Sequence, residues 1–457
     1  MNSEATITRF APSPTGRLHL GNARTALFNF LFARAGAGRF LLRIEDTDAE
    51  RGAEEHVGAL VADLEWLGLR WDEEPRRQSE RTAIYAKYFA RLESAGQAYP
   101  CYCTEEELHL ARKAQLAAGR PPRYPGTCAK LGPDERRAKA AEGRTASLRF
   151  RVPAGRDVVY SDLVRGEQRF PADTLGDFVI RRSDGSPAFL FANALDDALL
   201  GITHVLRGED HVANTPRQLL LLEALELKPP RYGHLPLLVG ADGRPLSKRH
   251  GAASLEALGG QGYLPLAVMN YLARLGHHYE DDALMDAKAL SRGFDPAHLG
   301  RAPAHFDRAQ LDHWQRLAVT AQDDGAFLAW AGDALERVPA ERREAFARAV
   351  RPNCLFAADV RFWAEALFGP APRLEGDAAR AIEEAGPAFF DAAARAVGKA
   401  GADPGAIRQA TGAKGKALFM PLRAALTGTL HGPDMHSLLA LLGPEKIRER
   451  LNAWAKD

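Results

Sequence analysis

The sequence predicts an α/β fold, in which a Rossmann-like parallel sheet is interrupted by an inserted domain and followed by an all-helical C-terminal region. Three observations lead to this prediction. Strand patterns alternate with amphipathic helices in the first part of the chain, a cysteine-containing and Pro/Gly-rich stretch breaks the alternation, and no alternating strand pattern persists beyond about Arg316. A chain of 457 residues is too long for one core. Several domains are therefore expected.

The composition is ordinary for a soluble globular protein, with 46% hydrophobic residues, 26% charged residues and a net charge of +1. The near-zero net charge argues against a protein that coats nucleic acid by charge alone. Local basic faces are still compatible with that net charge. No apolar run is long enough to cross a bilayer and no signal peptide precedes Thr6. We therefore expect a cytoplasmic protein without a membrane partner.

The first strand, "ATITRF", is followed by the loop "APSPTGRLHLGN" and by a helix with apolar residues at helical spacing. A loop of this kind lies at the carboxyl edge of a parallel sheet, where backbone N–H groups and the helix dipole favour phosphate. Gly16 and Gly21 would let a ligand approach the backbone closely, and His19 can donate to phosphate oxygens. From the spacing alone, a turn whose histidine only caps the helix is an equally good interpretation, because neither common phosphate-loop fingerprint is present.

A second strand, Phe40 to Ile44, precedes the acidic segment "EDTD", and the alternation later ends in the loop "GRPLSKRHG". Without further information, the acidic segment is typical of a helix N-terminus. In the basic loop, Lys248 could act as a mobile positive charge and Ser247 as a donor toward a triphosphate. Such a run is, on its own, most often a solvated basic loop.

From about Gln97 to Thr174 the α/β rhythm breaks and three cysteines gather, Cys101, Cys103 and Cys128. Four cysteines in a chain of this length are not a disulfide framework. A structural zinc ion needs four ligands, so the three thiols alone do not complete a site. The alternative is three reduced thiols packed as small apolar groups.

Several motifs occur in the same order along nearly the whole chain: "RFAPSPTGRLHLGNARTALFN", "RIEDTD", "VLRGEDHVANTPRQ", "LSKRHGA", "LFMPLRAALTG" and "LLALLG". Together they resemble bacterial glutamyl-tRNA synthetases, which are class I aminoacyl-tRNA synthetases. The family's HIGH signature is similar to "HLGN", with Asn22 in place of the last histidine. Its KMSKS loop is similar to "PLSKR", with Pro245 in place of the first lysine. The resemblance implies a glutamate–tRNA ligase that releases AMP and pyrophosphate.

The resemblance assigns a role to each matching residue. Those that would bind glutamate are Arg9, Ala11, Ser13, Glu45 and Arg207. Those that would bind ATP, with Mg²⁺ on the triphosphate, are His19, Gly21, Asn22, Ser247, Lys248 and Arg249, and the catalytic pair would be His19 and Lys248. A guanidinium suits a carboxylate because it offers two parallel hydrogen bonds, while a glutamate carboxylate can accept from the substrate ammonium. Phe189 stands where the family usually has a tyrosine, so one amino-acid contact is expected to be lost or replaced by water.

The resemblance implies two steps. The α-carboxylate of glutamate attacks the α-phosphate of ATP and expels pyrophosphate, and the 2′-hydroxyl of the terminal tRNA adenosine then attacks the carbonyl of glutamyl adenylate. Positioning and electrostatics can supply most of the acceleration of the first step, since no covalent enzyme intermediate is needed. In this family, adenylate formation generally awaits bound tRNA.

The resemblance also implies four domains and further ligand sites. The domains would be a catalytic domain at 1–96 and 175–238, an inserted acceptor-binding domain at 97–174, a stem-contact domain at 239–315 and a helical anticodon-binding region at 316–457. Zinc would be held by Cys101, Cys103, Tyr124 and Cys128, with His109 a weaker candidate for the fourth position. The anticodon would be contacted by Arg351, Lys414, Lys416 and Arg423, each of which is also compatible with plain surface charge.

Other hypotheses remain open at this point. Asn353 leaves undecided whether glutamate is attached to tRNA(Glu), to tRNA(Gln) as a misacylated precursor, or to both. A truncated relative that glutamylates a modified tRNA base would lack the helical region, and a non-catalytic tRNA-binding paralogue would lose His19, Lys248 or Arg9, which are all present. A glutamine-specific enzyme is disfavoured because the C-terminal region shows no barrel-like strands. A monomer is expected.

Overall fold

The computed structural model describes residues 5–47, 54–240, 242–244, 246, 254–398 and 401–455. It divides into two compact units, Met1–Leu258 with Met269–Asp307 and Gly259–Val268 with Arg308–Asp457. The predicted ATP contacts Ser247, Lys248 and Arg249, and the departure at Pro245, lie outside the described residues. The finer division into four domains stays a prediction.

The strands are β1 (Ile7–Phe10), β2 (Arg39–Ile44), β3 (Arg76–Arg77), β4 (Ala98–Cys101), β5 (Ser147–Phe150), β6 (Asp157–Asp162), β7 (Gly166–Pro171), β8 (Phe178–Arg181), β9 (His204–Gly208), β10 (Arg231–Leu235), β11 (Leu238–Val239) and β12 (Ala304–His305).

The helices are α1 (Leu20–Ala35), α2 (Glu54–Trp66), α3 (Thr82–Ser94), α4 (Glu105–Ala117), α5 (Pro133–Ala141), α6 (Ala172–Leu175), α7 (Phe189–Leu199), α8 (Thr215–Ala224), α9 (Leu255–Gly260), α10 (Pro265–Arg274), α11 (Ala287–Arg292), α12 (Arg308–Ala321), α13 (Asp324–Ala331), α14 (Arg343–Val350), α15 (Ala357–Phe368), α16 (Gly376–Arg395), α17 (Pro404–Thr411), α18 (Lys416–Thr427), α19 (Met435–Leu442) and α20 (Pro444–Asn452).

Parallel strands form the centre of the first unit. Strands β1, β2 and β3 pair in parallel in that order, and β9 pairs in parallel with β10. The N–H of Thr203 donates to the carbonyl of Ile7 at 2.9 Å, which joins the start of β1 to the start of β9. The predicted Rossmann-like parallel sheet is therefore confirmed. Because parallel strands end at one edge, Arg9 near the end of β1 and Arg207 near the end of β9 lie on the same side of the fold.

Helix α1 packs its predicted apolar face into the core. The face consists of Ala23, Ala26, Leu27, Phe30 and Leu31, and all five are buried. The chain then turns at Gly38 so that the N–H of Arg39 donates to the carbonyl of Thr6 at 2.9 Å. A Cβ atom on Gly38 would lie 1.8 Å from that carbonyl oxygen, so the pairing of β1 with β2 requires a residue without a side chain there.

The predicted insertion contains antiparallel structure, unlike the sheet that it interrupts. Strands β4 and β5 of the insertion form one antiparallel sheet with β8, which lies beyond its predicted end at 174, and β6 pairs with β7 as a hairpin. The segments "ASLRFRV" and "DVVYSDLV" contain β5 and β6. The charged segment "DERRAKAAEGR" contributes most of helix α5.

The second unit is helical throughout the part of the chain that the structure describes, which confirms the predicted all-α C-terminal region. Its core is built from apolar residues of α12 to α20. Arg450 is buried in this core and donates to the backbone carbonyls of Ala366, Leu426, Gly369 and Pro370. Within the described ranges of the chain, no helix is both long and apolar enough to cross a lipid bilayer.

Replacing Gly38 by alanine is expected to lower the free energy of unfolding by about 2–3 kcal/mol, because the new Cβ must displace backbone between β1 and β2. Chemical denaturation measures the change. Gly58→Ala is the matched control, since a Cβ there meets nothing within 4 Å. The control should stabilise helix α2 by up to about 1 kcal/mol. Equal effects of the two substitutions would contradict the close approach at Gly38.

Candidate functional site

A cavity of about 620 Å³ opens at the carboxyl edge of the parallel sheet. Its size is that of a site for a small molecule. The structure brings into its lining the predicted glutamate-binding and ATP-binding residues that it describes, namely Arg9, Ala11, Ser13, His19, Gly21, Asn22, Glu45 and Arg207. Residues from distant motifs therefore meet in one place.

A buried carboxylate, Asp197 of α7, holds two arginines beside the cavity. Arg9 donates through Nε to Oδ1 at 3.1 Å and through Nη2 to Oδ2 at 3.3 Å. Arg43 donates through Nη1 to Oδ1 at 2.6 Å. Although burial opposes it, the charges of the two arginines lower the pKa of Asp197. Asp197 thus occupies the Nε–Nη2 edge of Arg9 and leaves Nη1 out of the ion pair, so the contact of Arg9 with the substrate stays a prediction.

Glu45 follows β2 directly and lies in the cavity wall with 8% of its surface exposed. Its Oε1 accepts from Arg43 Nη2 at 3.1 Å and from Asn193 Nδ2 at 2.6 Å. No hydrogen bond to Oε2 comes from the described residues. Burial raises the pKa of Glu45, and the charges of Arg43 and Arg9 oppose that rise.

Arg207 is buried against neutral partners. Its Nη2 donates to Thr215 Oγ1 and to Gln218 Oε1, each at 2.7 Å, and its Nε donates to His234 Nε2 at 3.2 Å. Among the described residues, Nη1 is buried without a hydrogen-bond partner. Gln218 also donates to Asn193 Oδ1 at 2.9 Å, which links the Arg207 group to the Glu45 group. The cavity wall therefore holds a buried cation with one donor nitrogen unused.

His19 caps helix α1, as the simpler interpretation of the loop proposed. Its Nδ1 accepts from the N–H of Asn22 at 3.3 Å, and desolvation lowers the pKa of the ring. A neutral ring whose Nδ1 accepts carries its proton on Nε2, so the cap leaves an N–H donor for a ligand. A Cβ on Gly21 would lie 3.2 Å from the imidazole. The group that lies close to Gly21 is therefore the His19 ring, for which the missing side chain leaves room.

The described residues on either side of the basic loop lie beside this cavity. Leu246 is part of the lining, and its N–H donates to the carbonyl of Leu238 at 2.9 Å. On the other side, Ser254 pairs with His19, and the N–H of Leu255 donates to the carbonyl of Leu18 at 3.1 Å. The described residues that flank Lys248 thus lie at the cavity wall on one side and next to the histidine loop on the other.

Phe189, which stands where a tyrosine was expected, lines the cavity beside His211, with the two ring centroids 5.4 Å apart. Burial and the charge of Arg207 lower the pKa of His211 to about 4. A neutral imidazole and a phenyl ring therefore share this wall.

Sequence reasoning missed the residues that support the predicted ones: Arg43, Asn193, Asp197, Gln218 and His234. All five are buried. Their signal was a polar residue inside an otherwise apolar run, as in "LFANALDD" and "RQLLLL". Such a residue requires a buried partner, although the sequence does not say which one.

The three cysteines of the insertion meet in space, with their Sγ atoms within 4.8 Å of one another. Tyr124 Oη lies 3.4 Å from Cys101 Sγ and 3.6 Å from Cys103 Sγ, and the Cys103 and Cys128 sulfurs are 3.6 Å apart. Tetrahedral Zn–S bonds of about 2.3 Å place their sulfurs about 3.8 Å apart, so this donor set fits zinc. His109 is exposed on α4 and does not join the cluster. Cys354 is buried elsewhere.

The four predicted anticodon residues fall into two groups. Arg351 pairs with Asp324 at 2.8 Å and donates to the carbonyl of Gln322, while Arg423 is half-buried and donates to the carbonyl of Pro433. Lys414 and Lys416 are exposed at the start of α18. The two lysines are therefore more accessible to a ligand than the two arginines.

Comparisons with known proteins give consistent results. Residues 5–313 match the family of tRNA synthetases class I (E and Q), catalytic domain, and residues 403–455 match an anticodon binding domain. The chain is 56% identical to Glutamate–tRNA ligase 2 of Alkalilimnicola ehrlichii, covering 97% of this chain and 96% of the relative. It is 54% identical to Glutamate–tRNA ligase 2 of Nitrosococcus oceani, covering 99% and 98%. The solved glutamate–tRNA synthetase of Elizabethkingia anophelis superposes with a TM-score of 0.86 at 29% identity, covering 99% of this chain and 100% of that chain.

Replacing Asp197 by asparagine is expected to lower the free energy of unfolding by about 3–5 kcal/mol at pH 7, because two buried arginines lose the negative charge with which both are paired. The pKa of this carboxyl is lowered on folding. The difference in unfolding free energy between parent and variant should therefore be complete above the ordinary pKa near 4 and should shrink as the pH falls below it. Denaturant unfolding between pH 3 and 7 measures both effects. Asp134→Asn, at an exposed ion pair with Arg137, should change stability by less than about 0.5 kcal/mol. A similar small change at Asp197 would contradict the role of this carboxylate.

Proposed function

The chain belongs to the class I aminoacyl-tRNA synthetases and is a glutamate–tRNA ligase, and from this premise we propose how its residues divide the reaction among them. In this proposal Arg207 binds the side-chain carboxylate of glutamate, Glu45 accepts from the substrate ammonium, and His19 and Lys248 stabilise the phosphates of ATP.

One observation supports the assignment of Arg207 above the others. This arginine is buried in the cavity wall with neutral hydrogen-bond partners and with Nη1 unused. A buried cation is costly unless a counter-charge meets it, and the carboxylate of a substrate would supply one. Arg9, whose Nε–Nη2 edge is held by Asp197, adds positive potential and offers Nη1 to the substrate. Glu45, with both described hydrogen bonds on Oε1, keeps an acceptor for the ammonium.

ATP binding is assigned to the two loops that meet at His19. The Nε2 proton of the neutral imidazole donates to a phosphate oxygen, and Gly21 offers its backbone N–H at the start of α1. The N–H of Asn22 is used by the His19 cap, so Asn22 would contribute its side-chain amide. Ser247, Lys248 and Arg249 would bring donors and positive charge to the leaving pyrophosphate, since Leu246 before them lines this cavity and Ser254 after them pairs with His19. ATP would bind as its Mg²⁺ complex.

Activation then proceeds by attack of the glutamate α-carboxylate on the α-phosphate and release of pyrophosphate. Arg207, Arg9 and Glu45 orient the amino acid, so that the reacting carboxylate and phosphate are already close. Ala11 and Ser13 complete the amino-acid side of the site. The 2′-hydroxyl of the terminal tRNA adenosine attacks the glutamyl-adenylate carbonyl in the second step.

A structural zinc ion is proposed for the insertion, held by Cys101, Cys103, Tyr124 and Cys128. Bound there, the ion would cross-link the segment around β4 to the turn that precedes α5. Arg149 donates to Cys101 Sγ at 3.1 Å and lies over the ring of Tyr124 at 3.9 Å, so it supports the two ligands from outside.

We propose tRNA(Glu) as the acceptor, with Lys414 and Lys416 on its phosphates and Arg351 and Arg423 as further contacts. The match to an anticodon binding domain over 403–455 supports this placement of the lysines. Charging of tRNA(Gln) is the alternative that an assay can separate. We further propose that the protein acts in the cytoplasm as a monomer.

Glutamate charging of purified tRNA(Glu) and tRNA(Gln) tests the choice of acceptor and the role of Lys248 together. We expect tRNA(Glu) to be charged, and Lys248→Ala to slow adenylate formation about 10²–10³-fold, because the charge on the leaving pyrophosphate loses its cation. Lys87→Ala, at an exposed position on α3, is the control and should charge at the parental rate. Charging of tRNA(Gln) alone would overturn the proposed acceptor, and full activity of Lys248→Ala would overturn the proposed catalytic role.

The zinc proposal predicts one tightly bound zinc ion per chain by elemental analysis. Cys103→Ser should lose stoichiometric zinc, because an alcohol replaces a thiolate ligand. Cys354→Ser should retain it, since that thiol lies outside the cluster. Absence of zinc from protein purified without chelators, or equal zinc content in both variants, would refute the site.

A further inference from the structure

We propose that Asp162 and His234 are positioning residues for glutamate recognition, which hold Arg207 in the orientation that leaves Nη1 for the substrate carboxylate. The inference rests on the proposed role of Arg207. Neither Asp162 nor His234 is among the described residues that line the cavity, so both act through the arginine. Both are buried.

His234 lies on β10 directly opposite Arg207 in the parallel pairing with β9. Its Nε2 is 3.2 Å from Arg207 Nε and 3.0 Å from Thr215 Oγ1, and its Nδ1 is 2.5 Å from Asp162 Oδ2. A guanidinium can only donate hydrogen bonds, so Nε2 must be an acceptor. The proton of the neutral ring is therefore on Nδ1, where it is donated to Asp162. Burial lowers the pKa of His234, which agrees with a neutral ring.

Asp162 is itself fixed by backbone groups. Its Oδ1 accepts from the N–H groups of Val164 at 2.9 Å, Arg165 at 2.8 Å and His234 at 3.2 Å. Although burial opposes it, these hydrogen bonds and that from the His234 ring lower the pKa of Asp162. Because Asp162 ends β6, the turn of the β6–β7 hairpin determines where the carboxylate stands. The orientation of Arg207 thus depends, through two hydrogen bonds, on a hairpin of the predicted insertion.

A carboxylate at position 162 is required to keep the His234 ring proton on Nδ1. In Asp162→Asn, the amide N–H can donate to Nδ1, and the ring proton then moves to Nε2. That proton would face the N–H of Arg207 Nε, donor against donor, and the guanidinium would have to turn away. A purely structural role of Asp162, as a cap for the hairpin turn, would affect stability instead and would leave the binding of glutamate unchanged.

Glutamate-dependent pyrophosphate exchange, measured on the full chain with tRNA present, tests the proposal. Asp162→Asn and His234→Asn should raise the KM for glutamate about tenfold, with the KM for ATP and kcat within about twofold of the parent. His234→Gln should restore much of the loss, because its side-chain oxygen reaches the position of Nε2. Asp157→Asn is the matched control at the other end of β6, where the carboxylate pairs with exposed Arg169, and it should match the parent.

Arg207→Gln, assayed in parallel, distinguishes a failure of the positioning role from a failure of the proposed Arg207 contact. If this variant raises the KM for glutamate while Asp162→Asn and His234→Asn do not, the positioning role is overturned and the role of Arg207 stands. If Arg207→Gln leaves the KM for glutamate unchanged, the proposed carboxylate contact fails and the positioning role fails with it. A fall in kcat and in thermal stability without a change in KM for Asp162→Asn would also overturn the proposal.

Discussion

The geometry of the active site depends on one buried carboxylate that forms ion pairs with two arginines from different strands. Asp197 on α7 accepts from Arg9 on β1 and from Arg43 on β2, and all three side chains are buried. Buried charges are tolerated only when they are paired, so these three elements cannot shift independently. Glu45 follows Arg43 by two residues, and the same constraint places it in the cavity wall. This part of the cavity wall is thus positioned by charge pairing as much as by apolar packing.

The balance of charge differs on the other side of the cavity. Arg207 is held by the neutral side chains of Thr215, Gln218 and His234. A protein selected for stability alone would place a carboxylate in direct contact with such a cation. The direct counter-charge is instead left to the ligand, which gives the site affinity for an acid side chain at some cost in stability. The same bonds fix the planar guanidinium, so the amino acid meets a donor that is already oriented.

Motif residues could be predicted from the sequence, whereas their supporting partners could not. Arg9, His19 and Glu45 stand in loops and strand ends whose spacing marks the carboxyl edge of a sheet, and the structure places them there. Asp162 and His234 are 72 positions apart, and no local pattern relates them. Charge alone was also a poor guide to accessibility, because Arg351 and Arg423 donate to backbone carbonyls of their own chain. The cysteines were found from their clustering, whereas Tyr124 was named only through the family resemblance, because no local spacing marks a tyrosine as a ligand.

A crystal structure of the chain with glutamate bound tests whether the substrate side chain is the counter-charge of Arg207. We expect an oxygen of the side-chain carboxylate to accept from Arg207 Nη1 at about 2.7–2.9 Å, the distance of a charge-assisted hydrogen bond, with the substrate ammonium beside Glu45. A glutamate molecule whose side-chain carboxylate makes no contact with Arg207, or whose orientation places that carboxylate at His19, would overturn this role of Arg207.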